Sequence, residues 1–181
     1  MSDDYDVDDL LDQSTSKKTV NQKKKGSRVE LRLSKILSAH FEKPFSRSVG
    51  SGNRFSQVSQ LPEHALQTFM GDLCVPKGFR FVIECKGGYN DVNLSQLITK
   101  GSKALDGFLS QVTSDSKQCG REPIVFWKMD RRDWLAIYHH SSFAKTPDFK
   151  VFVNYGDWRI VNMKQLLERT DQSEWFFENC C

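Results

Sequence analysis

Gly71-Asp72-Leu73-Cys74-Val75-Pro76-Lys77-Gly78-Phe79-Arg80-Phe81-Val82-Ile83-Glu84-Cys85-Lys86 runs through the middle of the chain. Pro76 followed by Gly78 is turn chemistry between two apolar runs, and predicts a hairpin of strands 71–75 and 79–86. Side chains alternate between the faces of a strand. Phe79, Phe81, Ile83 and Cys85 therefore share one face, and Val82, Glu84 and Lys86 the other. An acid and a base end one face of an apolar strand, and Asp72 opens the neighbouring strand. Two converging carboxylates form a hard-oxygen site that suits Mg²⁺, with Mn²⁺ as a substitute. A lysine beside them orients water or balances developing phosphate charge. This is the chemistry of a metal-dependent phosphodiesterase. Glu-x-Lys alone is a weak signal, because strand ends carry charges wherever they reach solvent. The tight turn, the Asp and the apolar strand supply the context.

Working outward, the folded domain is expected to begin near Gly26. Ser27 and Glu30 have the spacing of a capping box. Val29, Leu33, Ile36, Leu37 and His40 or Phe41 then recur at helical spacing, and Pro44 ends the helix. Residues 45–70 read as a polar loop with a short helix around 63–70. A second amphipathic helix begins near Asn93, with Leu94, Leu97, Ile98, Leu105, Phe108, Leu109 and Val112 on one stripe, weakened at Gly101 and Gly107. Pro123–Met129 and Trp134–His139 read as strands around Asp130-Arg131-Arg132-Asp133. Phe149–Tyr155 and Trp158–Val161 read as a hairpin closed by Gly156-Asp157, with glycine placed for a type II′ turn. A last helix at about Lys164–Arg169 precedes Trp175-Phe176-Phe177. This order predicts an α/β fold, a mixed β-sheet flanked by helices.

The net charge of +3 conceals an asymmetry. Residues 1–12 carry six Asp and no Lys or Arg, so setting them aside takes the balance to +9. Lys17, Lys18, Lys23, Lys24, Lys25, Arg28 and Arg32 follow. Blocks of this kind predict a disordered acidic-then-basic tail over 1–25, ahead of a domain over 26–181. The tail reads either as a solubilising segment or as a basic arm for phosphates, masked by its acidic tip. The five cysteines and four histidines lack zinc-ligand spacing, and an odd cysteine count suits reduced thiols in a cytosolic compartment. No apolar run approaches a membrane span, and the Asp-rich start is the opposite of a secretory signal.

Lys25-Gly26-Ser27-Arg28-Val29-Glu30, Arg47-Ser48-Val49-Gly50-Ser51, Asp72-Leu73, Glu84-Cys85-Lys86 and Pro123-Ile124-Val125-Phe126-Trp127-Lys128 together resemble the archaeal-type Holliday-junction resolvases of the PD-(D/E)xK nuclease superfamily. The resemblance covers about 24–134 and suits a phage- or virus-encoded relative. It implies a restriction-endonuclease-like fold. It also implies Asp72 and Glu84 as metal ligands, Glu30 as a third, and Lys86 as a catalytic residue. Arg47 and Ser51 fall in a loop that touches DNA, and Lys128 matches a basic site residue. Lys24, Lys25, Arg28, Arg32, Arg131 and Arg132 would hold duplex arms. Two features depart from the family: Leu31 stands where arginine is usual, and the segment between Ser51 and Asp72 is long.

The expected function is a Mg²⁺-dependent, structure-selective DNA endonuclease that resolves four-way junctions by paired nicks. It would work as a homodimer in the cytoplasm of a prokaryotic or virus-infected cell, without a membrane or small-molecule cofactor. Phe108 and Trp175–Phe177 are the expected dimer contacts. The alternatives are a nicking, flap-cleaving or restriction-like nuclease of the same fold, and a DNA-binding module without catalysis.

Overall fold

The sequence order resolves into α1 (Gln22–Phe41), β1 (Ser46–Arg47), β2 (Leu73–Cys74), β3 (Phe81–Gly87), α2 (Leu94–Leu97), α3 (Lys103–Cys119), β4 (Glu122–Lys128), β5 (Trp134–His139), a 3₁₀ turn (His140–Phe143), β6 (Val151–Tyr155), β7 (Trp158–Asn162) and α4 (Met163–Arg169). This computed structural model describes residues 22–48, 70–143, 150–169 and 175–178. Strands line up as β3-β4-β5-β7-β6. The β3–β4 pair is parallel and the other pairs are antiparallel. A parallel pair needs a crossover, and α2 with α3 supplies it.

The alternation along β3 sorts the core into two layers. Phe81, Ile83 and Cys85 pack with Leu33 and Leu37 of α1, with Leu166 and Leu167 of α4, and with Phe176. Val82 packs on the opposite face with Leu105, Phe108 and Val112 of α3. Gly87 lets α1 close on the end of β3, since a Cβ there would stand 2.6 Å from Val29 Cγ2. The restriction-endonuclease-like α/β class is borne out: a mixed sheet lies between helices. No helix among the described residues is long and apolar enough to cross a membrane.

Four local expectations need correction. Residues 71–75 do not form a ladder with β3; Leu73–Cys74 pairs antiparallel with Ser46–Arg47 instead. The turn itself forms, with Phe79 N–H donating to the Pro76 carbonyl at 3.1 Å and Gly78 at φ +80°. The strands separate because Gly71, at φ +82°, brings the chain across the edge of β3. A Cβ there would lie 2.5 Å from the Ile83 carbonyl oxygen.

The second helix breaks in two. Asn93 caps α2 and Ser102 caps α3, with Gly101 at φ +68° between them, and Ile98 is left 69% exposed. The first helix already runs from Gln22, so Ser27 lies inside it and caps nothing. Lastly, Phe108, Phe176 and Phe177 are buried within the core, which removes them as dimer contacts. The helix expected over 63–70 falls, but for residue 70, outside the described residues, as does Ser51.

Candidate active site

β3 is an edge strand of the main sheet; its free edge holds Asp72 at two points, and Ser48 holds it at a third. The Asp72 N–H donates to the Ile83 carbonyl at 2.8 Å, and Ser48 N–H donates to the Asp72 carbonyl at 2.9 Å. The Cys85 N–H donates to Asp72 Oδ2 at 2.8 Å. Residues of odd number on β3 turn their backbone groups toward this edge, so the strand fixes where the carboxyl sits.

Glu84 points to the α3 side and is 1% exposed. It forms an ion pair with Lys86. Gln111 of α3 joins the two: its Nε2 donates to Glu84 Oε2 at 3.0 Å, and its Oε1 accepts from Lys86 Nζ at 3.0 Å. An amide suits this place because one end donates to a carboxylate while the other accepts from an ammonium. Lys86 Nζ also stands 5.4 Å from the centre of the Phe108 ring.

Burial, and then the neighbouring Asp72 carboxylate, push the Glu84 carboxyl up to about 8. Burial raises Asp72 as well, partly offset by the Cys85 N–H, by Lys86 and by a hydrogen bond with Glu84. Near neutral pH the pair therefore shares a proton. Burial pulls the Lys86 ammonium down, but Glu84, Asp72 and Tyr89 together hold it above its ordinary value. Burial, followed by Asp72, Glu30 and Glu84, pushes the Cys85 thiol well up. Asp115, one turn beyond Gln111, is raised by burial and lowered by Lys86.

Glu30 is buried on α1, and its Oε2 accepts from Arg47 Nε at 2.7 Å. Arg47 thus sits against the first-helix glutamate. Lys128 Nζ donates to the backbone carbonyls of Met129 and Arg132, within the turn after β4. Gly87 pairs with Lys128, so that turn and its exposed Arg131 and Arg132 lie at the Lys86 end of the sheet. Arg28, exposed and next to the Val29 that contacts Gly87, lies at the same end. Arg32 is exposed one turn further along α1. Lys24 and Lys25 belong to the first turns of α1, and their side chains lie outside the described residues.

Among the described residues, no group of three His, Cys, Asp or Glu side chains is gathered to hold a metal ion. Asp72 and Glu84 are the pair that converges. Sequence reading missed Gln111 and Asp115. Their signal was faint: two polar residues four apart beside the Phe108–Val112 stripe of an amphipathic helix.

The chain matches the family described as "Phage putative PDDEXK endonuclease" over residues 21–176, which takes in β3, the Asp72–Glu84–Lys86 edge and α3. No curated protein and no solved structure matches it. By this match over most of its length, the chain belongs to that phage PD-(D/E)xK endonuclease family and is a nuclease.

Proposed function

We propose that the protein is a Mg²⁺-dependent DNA endonuclease that resolves four-way junctions by paired nicks. One observation carries the metal dependence: two buried carboxyls stand side by side at a strand edge where only one can readily ionise. The pair fits a divalent cation, which would relieve that repulsion. Mg²⁺ commonly takes one or two carboxylates and fills its other positions with water and phosphate oxygens. Asp72 and Glu84 would hold it, with Glu30 approaching from α1 once its pairing with Arg47 yields. When bound, the ion supplies Lewis acidity at the phosphodiester.

The chain's own residues prepare that chemistry. The β3 edge fixes the Asp72 carboxyl by the Cys85 N–H, so its acceptor lone pairs are aimed before substrate arrives. Gln111 and Glu84 hold the Lys86 ammonium where it can meet a phosphate oxygen. Arg28, Arg131 and Arg132 share one end of the sheet and suit contacts to the DNA backbone. The order and spacing of the resolvase-like pieces support a branched substrate.

A monomeric nicking or flap-cleaving nuclease is the second reading. Burial of Phe108, Phe176 and Phe177 favours it, since it removes apolar surfaces expected for self-association. Labelled four-way junction, flap, nicked and linear DNA are incubated with protein and Mg²⁺, beside Glu84→Gln. Paired nicks in the junction, absent from Glu84→Gln, support the first reading. Cutting confined to flaps or nicks by a sedimenting monomer supports the second. Full activity in Glu84→Gln or in EDTA refutes the metal-site assignment.

A further inference from the structure

Tyr89 follows Lys86 by three residues, yet it is 46% exposed. Its backbone is left-handed, at φ +57°, a conformation uncommon for residues with a bulky side chain. Gly87 and Gly88 stand immediately before it and would accept such a conformation freely. The frame around it is tied down. Gly88 N–H donates to the Lys128 carbonyl at 2.9 Å, and Trp127 Nε1–H donates to the Gly88 carbonyl at 3.0 Å. Asn90 Nδ2 donates to Asp130 Oδ2 at 2.6 Å, and Asp130 N–H donates to Asn90 Oδ1 at 2.7 Å. The Tyr89 carbonyl accepts from Val92 N–H at 3.1 Å.

The ring packs edge-on against Phe108, with centroids 4.7 Å apart, and Phe108 carries Lys86 above its face. A fixed, half-exposed aromatic therefore stands beside the lysine of the site. Arg131 and Arg132 lie next along the same rim, in the turn that Asn90 clasps through Asp130. Aromatic surface flanked by cations beside a phosphate-cutting centre matches a nucleobase joined to its backbone: the ring takes the base and the cations take the phosphates.

We propose that Tyr89 is a stacking surface for an unpaired nucleobase next to the scissile phosphate, and so selects DNA whose bases are splayed at a branch. This rests on the reading of the site as a DNA endonuclease. A continuous duplex offers no free base face, so Tyr89 gives it no grip.

The test uses the full chain with Ca²⁺, which suits binding, and a four-way junction carrying 2-aminopurine at the branch, beside a linear duplex. Tyr89→Asn suits the left-handed backbone but removes the ring, while Tyr89→Phe and Tyr89→Trp keep it. Tyr89→Asn is expected to lose about tenfold in junction affinity, a typical value for one base stack, with no change on the linear duplex. Quenching of 2-aminopurine is expected with the wild type, lost in Tyr89→Asn and retained in Tyr89→Phe. Equal loss on both DNAs, or equal behaviour of Tyr89→Asn and Tyr89→Phe, overturns the proposal. A Mg²⁺ cleavage assay on the wild type separates the two levels. If cleavage occurs but Tyr89→Asn binds like the wild type, the stacking role falls and the nuclease reading stands. If no DNA is cut but the ring-dependent quenching persists, the nuclease reading falls and takes the scissile-phosphate placement with it, while base stacking by Tyr89 stands.

Discussion

Glu84→Gln should stabilise the metal-free protein at alkaline pH, although it removes an acid from the centre of the site. In the unfolded chain this carboxyl ionises near 4.5, whereas the folded protein holds its proton up to about 8. Between those values the folded state binds more protons than the unfolded one, so stability falls as pH rises. The penalty is absent below about pH 4.5 and constant above about pH 8. At about 1.4 kcal/mol per pH unit, the whole span amounts to about 5 kcal/mol. Loss of the charged partner leaves Lys86 with Gln111 and a neutral amide, which takes back about 1–2 kcal/mol. A net gain of about 3 kcal/mol at pH 9 corresponds to about 6–12 °C in Tm for a chain of this size. Urea unfolding in EDTA at pH 5 and pH 9, wild type against Glu84→Gln, measures it. Near-equal stability at pH 5 and a higher midpoint for the variant at pH 9 are expected. Parallel stability–pH curves for the two proteins would refute the shared-proton description of the Asp72–Glu84 pair.

Mg²⁺ binding should weaken about tenfold per pH unit below pH 8, because the ion must displace the shared proton; calorimetry in two buffers of different ionisation enthalpy reads the proton release directly. Asp72→Asn should abolish both that binding and DNA cleavage while leaving DNA affinity measurable, since phosphate contacts are spread over many cations. Gln111→Ala should lower cleavage about 10–100-fold with little effect on DNA affinity, and Gln111→Glu more, because it sets another carboxylate against Glu84. Deleting residues 1–12 should tighten nonspecific DNA binding as net charge rises by six. Replacing Lys23, Lys24 and Lys25 with Gln should flatten the salt dependence by up to about 0.9 per lysine. Unchanged salt slopes in filter binding would show that this segment does not meet the duplex.

Strand β3 was legible because Phe81, Ile83 and Cys85 alternate strictly with Val82, Glu84 and Lys86, and each set has its own helix to pack against. Asp72 was legible as an acid beside a turn, but not by its route. Short-range turn chemistry favoured a hairpin, and nothing local reports that Ser46–Arg47 is the better partner. Likewise the stripe from Leu94 to Val112 reads through Gly101 as one helix. Gly101 at φ +68° and the Ser102 cap break it, and a distant residue pins the break: the Tyr155 hydroxyl accepts from the Ser102 N–H at 3.1 Å and donates to Asp106 Oδ1 at 2.6 Å. Burial of Phe108 was similarly invisible, because a stripe does not say which of its residues meets Trp127.

The part of the site supplied by α3 sets the charge balance at the Glu-x-Lys strand end. Lys86 is the cation that acts on Asp72, Glu84 and Asp115 alike. The floor of the site therefore carries an excess of acid, held partly neutral by the shared proton. Gln111 adds no charge while holding both members of the ion pair. A glutamate there would deepen the excess, and a lysine would satisfy it and leave no call for a metal. The arginines stand further out, at Arg28, Arg131 and Arg132. A DNA backbone drawn to that rim meets carboxyls beneath it and is repelled from them. On the proposed reading, a divalent cation between phosphate and floor would remove the repulsion from both sides at once. Metal and substrate should thus bind with positive coupling: Mg²⁺ or Ca²⁺ should tighten DNA binding by the wild type, and Asp72→Asn should both bind DNA more tightly without metal and lose the metal response.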